Sequence, residues 1–250
     1  MFQDIPLQRS YWCSLSALKL SERNLLNQSQ DFLEEGIKAL NQNKASNSPS
    51  KEFFEVCFII GQTLLFHSKV SMSEEFFIKC YSSIESVEIQ RKMALFEKLI
   101  PVEMILNRNS EVVKFCEEAL KYFESISEKR QELIRILACY AKALVNLKDF
   151  EKAVRIARKS IPLICMEEKN TDLNRFIIDA YYILVEAYAG IGIEDEAIEA
   201  VLAGGKVIEK WFDGNSALAF YDNILNKYEF GKGVEDILKA FIELNEKTLR

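Results

Sequence analysis

An all-α fold built from antiparallel helical hairpins is what this sequence predicts, on three observations. Glycine (9) and proline (4) are too scarce among 250 residues to punctuate the short strands of a β-sandwich or barrel. Apolar residues recur at helical spacing along most of the chain. The breaks between periodic stretches are short, as in paired antiparallel helices. Hydrophobic residues at 49% and charged ones at 28% are ordinary globular usage, so nearly all of the chain is expected to fold, into about ten or eleven helices.

Taken in order, residues 22–41 place Leu25, Leu26, Phe32, Leu33, Ile37 and Leu40 on one stripe and read as an amphipathic helix. Residues 41–50 (NQNKASNSPS) are polar and read as a surface loop, with Ser50 placed to cap the next helix. Four hairpins follow: 52–69 with 73–85, 87–107 with 110–125, 128–147 with 150–166, and 173–191 with 194–212. Shorter helices at about 216–228 and 234–249 are expected to cap the end. The apolar run 58–66 is too embedded in helical spacing to be a strand. The expected division is 1–50 for N-terminal helices and the loop, 51–212 for the hairpin repeats and 213–250 for capping helices, forming one continuous solenoid.

Charge and composition exclude several function classes. A net charge of −6 argues against broad binding to phosphate backbones, so no nucleic-acid partner is expected. No stretch reaches about 18 uninterrupted apolar residues, and MFQDIPLQRSYWC lacks a basic start followed by an apolar run, so neither a membrane span nor an export signal is expected. The six cysteines, Cys13, Cys57, Cys80, Cys116, Cys139 and Cys165, are widely spaced, with no CxxC pair and no cluster with histidine. They read as reduced, buried thiols of a cytoplasmic protein, with nuclear or cytoskeletal placement also consistent.

Chemistry has no obvious seat. The single histidine, His67, closes an apolar helix and reads as a core or helix-end residue. Gly190-Ile-Gly192 and Gly204-Gly205 follow no strand and contain no GxxxxGK[ST] motif, so they read as turn and packing residues rather than a phosphate loop. Adjacent carboxylates such as Glu34-Glu35 and Glu74-Glu75 splay about 100° apart around a helix. No catalytic residue, metal site or cofactor is expected. Trp211-Phe212 could serve as an exposed partner anchor or as packing beneath the terminal helices.

Aligning the hairpins at their turns exposes a repeat. LACYAKALVNLKDFEKAVRIARKSI (137–161) and YYILVEAYAGIGIEDEAIEAVLAGG (181–205) share large, small and aromatic positions. In the third hairpin these are Leu137, Tyr140, Ala141, Leu144, Phe150, Ala153 and Ser160; in the fourth, Tyr181, Leu184, Val185, Tyr188, Glu194, Ala197 and Gly204. The second matches after its turn, at Asn109, Val112 and Ala119, but carries Pro101 in its first helix. The first offers Gly61, Leu64 and Cys80, with extra turn residues. The pattern resembles the tetratricopeptide repeat (TPR), well over 137–205, weakly over 53–123, and not at all before 50 or after 212. Val112, Ala153 and Ala197 are 41 and 44 residues apart, against about 34 for the standard repeat. Long periods of this kind resemble kinesin light chains and large scaffold proteins.

The resemblance implies a right-handed superhelix whose first helices line a groove. Groove positions carried over residue by residue are Arg135, Ala138, Cys139, Lys142 and Asn146 in the third hairpin, and Asp179, Tyr182, Ile183 and Glu186 in the fourth. Co-chaperone repeats that clamp a terminal carboxylate use Asn and Lys/Arg at these places; Tyr182, Ile183 and Glu186 depart from that. Charge is also segregated. The third hairpin has a basic patch, Lys142, Lys148, Lys152, Arg155, Arg158 and Lys159, and the fourth is acidic, with Asp179, Glu186, Glu194, Asp195, Glu196 and Glu199 and no Lys or Arg from 179 to 199. Such complementarity suits a bipolar protein partner, self-association, or plain attraction between neighbouring repeats. The expected function is a non-enzymatic scaffold or adaptor that binds a protein or peptide within a larger complex. The alternative is a regulatory receptor whose groove takes a short peptide or small ligand.

Overall fold

The computed structural model describes residues 5–42, 50–123, 130–166, 171–227 and 239. Among these the fold is all helical, as expected, with no strand: α1 (Ile5–Glu22), α2 (Leu26–Gln42), α3 (Lys51–Phe66), α4 (Val70–Ser82), α5 (Ile89–Ile105), α6 (Asn109–Phe123), α7 (Arg130–Asn146), α8 (Phe150–Cys165), α9 (Thr171–Ile191), α10 (Glu194–Trp211) and α11 (Gly214–Lys227), with a 3₁₀ turn at Ile84–Ser86. The helix expected over 234–249 and most of the loop before Ser50 lie outside the described residues. Ser50 does cap α3, its Oγ accepting from the Phe53 amide at 3.1 Å. The chain divides into two compact units, Met1–Glu111 and Val112–Arg250.

The helix expected over residues 22–41 starts later, at Leu26, and another hairpin arm, α1, precedes it. Periodicity misses α1 because serines take several places on its buried face, beside Ala17 and Leu18. Ser10 and Ser14 are fully buried, and the Ser10 hydroxyl donates to the Gly36 carbonyl of α2 at 2.7 Å. A side chain at Gly36 would lie 2.6 Å from Ser14 Oγ, so α1 and α2 touch nearly backbone to backbone.

One turn design recurs through both units. Among the described residues, positive φ occurs at Asn24, Ser68, Asn107, Lys148 and Gly192. Each comes just after a helix and closes it in the same way. The next residue's amide reaches back five positions, Leu25 to Leu20, Lys69 to Leu64, Arg108 to Glu103, Asp149 to Leu144 and Ile193 to Tyr188, at 2.9 to 3.0 Å. The left-handed residue's own amide reaches back three. This is the Schellman closure, which satisfies carbonyls that a helix end leaves bare. Gly192 and the two asparagines are residue types that favour this position, whereas Ser68 and Lys148 are not, which is why the sequence shows the turns unevenly.

Those five residues set the repeat register. Five positions after each lies a fully buried small or branched residue: Ser29, Ser73, Val112, Ala153 and Ala197. Twelve after come Gly36, Cys80, Ala119, Ser160 and Gly204, all buried. The resemblance that seemed to begin after residue 50 therefore extends through α1 and α2. The extra turn residues expected before Ser73 are the first turn of α4. The turn residues fall 44, 39, 41 and 44 positions apart. Because the turn is constant, the long and uneven period comes from helix length and from links between hairpins. Pro101 does not interrupt α5, which runs on to Ile105 with the proline on its exposed side.

A small polar node joins the first two hairpins. Ser29 Oγ donates to the Ala17 carbonyl at 2.8 Å and also meets Ser21 Oγ at 2.7 Å and His67 Nε2 at 2.9 Å. A hydroxyl has one proton and the carbonyl can only accept, so Ser21 and His67 must both donate to Ser29. His67 is thus a helix-end residue, as expected, held as the Nε2–H tautomer. Burial, reinforced by Lys69, moves its pKa below the usual 6.5. A depressed folded-state pKa means the unfolded chain takes up the proton first. The contribution is intact above pH 6.5 and is lost as pH falls through the folded value. Urea midpoints of the wild type should fall between pH 7.5 and 5.5 more than those of His67→Gln, which keeps an N–H donor without titrating. Equal declines would assign the pH dependence elsewhere.

Candidate interaction face

The first helices α7, α9 and α11 of the second unit carry most of the candidate site residues. Lys142 on α7, Glu186 on α9 and Lys227 on α11 form a row: Glu186 Oε2 lies 3.9 Å from Lys142 Nζ and 3.0 Å from Lys227 Nζ. Beside it, Tyr182 meets the Phe220 ring edge-on at a centroid distance of 4.9 Å and hydrogen-bonds Asn223. Asp179 has its carboxyl pKa raised by partial burial, opposed by Arg175 and Lys142. Cys139 lies close enough to Asp179 to feel its charge; burial, chiefly, pushes the thiol up to about 11, so it is no nucleophile at neutral pH.

The structure thus brings Cys139, Lys142, Asp179, Tyr182 and Glu186 together. Arg135, in the second turn of α7, and Asn146, its last residue, are exposed, and Ala138 is half-buried between them. Ile183 is different. It is 3% exposed and belongs to the core, because it lies one residue, about 100°, around the helix from Tyr182. Arg175, Phe220, Asn223 and Lys227 were not anticipated. The signal was present: Ala217, Phe220, Tyr221 and Ile224 on α11 repeat the buried spacing of Tyr181, Leu184, Val185 and Tyr188 on α9. That spacing marks α11 as another first helix.

The basic patch is largely an internal stitch. Lys152 Nζ and Tyr140 Oη both donate to Glu117 Oε1, joining α8 and α7 to α6. Their donation lowers the Glu117 pKa, Lys152 contributing most, and the same bond raises that of Lys152. Arg158 pairs with Glu196 of α10 at 3.1 Å and lies over the Tyr188 ring. Arg155 and Lys159 are exposed. Basic and acidic hairpins therefore attract each other directly, through Arg158–Glu196 and Lys142–Glu186. Such exposed pairs are each worth under about 1 kcal/mol, so they set register more than stability.

Other expected features resolve individually. Gly204 and Gly205 are buried contact points and Gly192 is a turn, so neither pair forms a phosphate cradle. Phe212 is 39% exposed and Trp211 is half-buried, intermediate between an anchor and core packing. Cys57, Cys80 and Cys116 are buried, but Cys165 is exposed at the end of α8, contrary to the expectation of six buried thiols. Among the described residues no group of three or more His, Cys, Asp or Glu could hold a metal ion, and no helix is long and apolar enough to cross a membrane.

The sequence matches no protein-family model and no curated protein. Solved structures do share the fold, and those compared are TPR proteins. YrrB, a TPR protein with an unusual peptide-binding site, is 16% identical with a TM-score of 0.57 over 81% of this chain and 87% of its own. The apo form of RapI is 17% identical with a TM-score of 0.61, covering 98% of this chain and 71% of its own. TPR-like repeats of a Podosopora anserina protein of kinesin light chain type are 13% identical with a TM-score of 0.59, over 84% and 98%. At these identities the likeness is one of fold: an all-α helical-hairpin repeat of the TPR kind.

Proposed function

We propose that this protein is a non-enzymatic interaction module that holds a peptide or protein segment along the α7–α9–α11 face, serving as a scaffold or adaptor within a larger assembly. The Lys142–Glu186–Lys227 row carries the reading. It sets polar, partly exposed side chains from three successive first helices side by side. Tyr182 and Asn146 add an aromatic surface and an amide that can bond a peptide backbone. The shared fold of YrrB, whose peptide-binding site is known, supports the same use here.

Peptides selected from a random displayed library against the whole chain should lose at least tenfold affinity when Lys142 and Asn146 are both changed to Ala, at unchanged urea midpoint. If they bind that variant normally and lose affinity instead in Arg155→Ala, a different face is responsible.

A further inference from the structure

Helices α4 and α8 each lie along the first helix of the following hairpin, α5 and α9, whereas α2 touches α3 only lightly and α1 makes that contact instead. Ser29 and Gly36 draw α2 against the carbonyls and serines of α1. A cleft of about 510 Å³ is left between α2, the end of α3 and the start of α4. That volume lies in the usual range for small-ligand clefts, about 300 to 1,000 Å³. One turn of helix, about 10 Å across and 5.4 Å high, fills about 400 Å³ by itself, so the cleft is too small to seat a docked helix.

Its floor is apolar and its rim is charged. Leu33 and Leu64, 1% and 0% exposed, lie at the bottom, with Ile37 and Met72 beside them. On the rim, half-buried Lys69 donates from Nζ to Gln30 Oε1 at 3.0 Å, and Gln30 Nε2 donates to Glu34 Oε1. This bridge through the amide sets the Lys69 charge against the Glu34 carboxylate. Lys38 lines the same cleft one turn further along α2 and, among the described residues, enters no ion pair. Two ammonium groups and one carboxylate thus face the cleft, a surplus of one positive charge on a chain whose net charge is −6. An apolar floor under a rim with a surplus of one cation matches a ligand with a hydrocarbon body and a single negative charge.

We propose that the cleft between α2 and α4 binds a small monocarboxylate, its hydrocarbon body over Leu33 and Leu64 and its carboxylate against the rim ammonium groups. The site is separate from the α7–α9–α11 face and does not rest on it. Isothermal titration of the whole chain with hexanoate, octanoate and decanoate, each below its micellar concentration, tests the assignment. Affinity should rise about fourfold per methylene, as expected for burial in an apolar cleft. Octylammonium, with the same body and the opposite charge, should bind at least tenfold more weakly than octanoate. Lys38→Gln/Lys69→Gln should weaken octanoate about tenfold and leave 1-octanol unchanged. Ile37→Ser/Met72→Ser should weaken octanoate and 1-octanol alike. Urea midpoints are measured alongside, and Lys38→Gln alone, at an exposed side chain, serves if the double lysine variant does not fold. Octanoate that binds the lysine variants as tightly as wild type, or octylammonium that matches octanoate, overturns the proposal. So does the absence of binding by all three carboxylates; if random-library peptides are then lost on Ile37→Ser/Met72→Ser, the cleft seats a peptide side chain instead.

Discussion

Gly205→Ala should lower the stability of the second unit by about 3 kcal/mol, the upper part of the range for overpacking a tight core. A Cβ on Gly205 would stand 1.7 Å from Tyr221 Oη and 2.0 Å from Cζ, inside bonded range of a ring that is itself buried. Burial also pushes the Tyr221 phenol up to about 12. Neither partner can yield cheaply: Gly205 is fixed inside α10, and Tyr221 is walled in on α11 beside Phe220 at 5.9 Å. The remaining relief is for α11 to move off α10. That would pull Phe220 from Tyr182 and Lys227 from Glu186, so loss of binding at the candidate face should accompany the loss of stability. Tyr221→Ala alone should cost about 3 to 5 kcal/mol. In the double variant the two costs should fall well short of their sum, because the smaller residue removes the clash. Urea denaturation followed by circular dichroism measures all three. Additive costs would show that the two residues do not meet.

Arg108→Leu should cost roughly 2 to 3 kcal/mol in the first unit, by stranding buried carboxylates. Glu103 is completely buried and Glu74 nearly so; Arg108 Nη1 lies 2.7 Å from Glu74 Oε1 and 4.0 Å from Glu103 Oε2. The figure is set below that of a fully buried pair because half of the Arg108 side chain is in water. The repeat register explains why Glu103 is unusual. Its counterparts four residues before the left-handed turn are Leu20, Leu64, Leu144 and Tyr188. Glu103→Leu, which restores the common apolar choice, should therefore be neutral or stabilising and should recover much of the loss in Arg108→Leu. If Glu103→Leu costs as much as Arg108→Leu and the pair adds, the cluster is not the cause.

These two cases separate what periodicity reveals from what it hides. Helices α3 to α11 were legible because each has an apolar stripe broad enough to bury, and their ends fell within a few residues of expectation. Helix α1 was not, since its buried face carries Ser10, Ser14 and Ser21 where aliphatics would have marked the period; Ser10 bonds a carbonyl and Ser21 a serine of the facing helix. The candidate face was legible in part. Lys142, Asp179, Tyr182 and Glu186 follow from the repeat, whereas Lys227 depended on seeing α11 as a further first helix, and Ile183 was misplaced by one step around α9.

The sequence alone determined the all-helical class, the hairpin pairing and the small residues at Ala153, Ala197 and Gly204, because short-range periodicity and side-chain size suffice for these. The rest needed the structure: the left-handed turns at Ser68 and Lys148, and the use of Lys152 and Arg158 as stitches. The physical reasons differ. The turns are closed by backbone amides and carbonyls, which nearly every residue type carries, so the side chain records them weakly. An ion pair between helices depends on what residues distant in sequence bring alongside, and residue type does not record that.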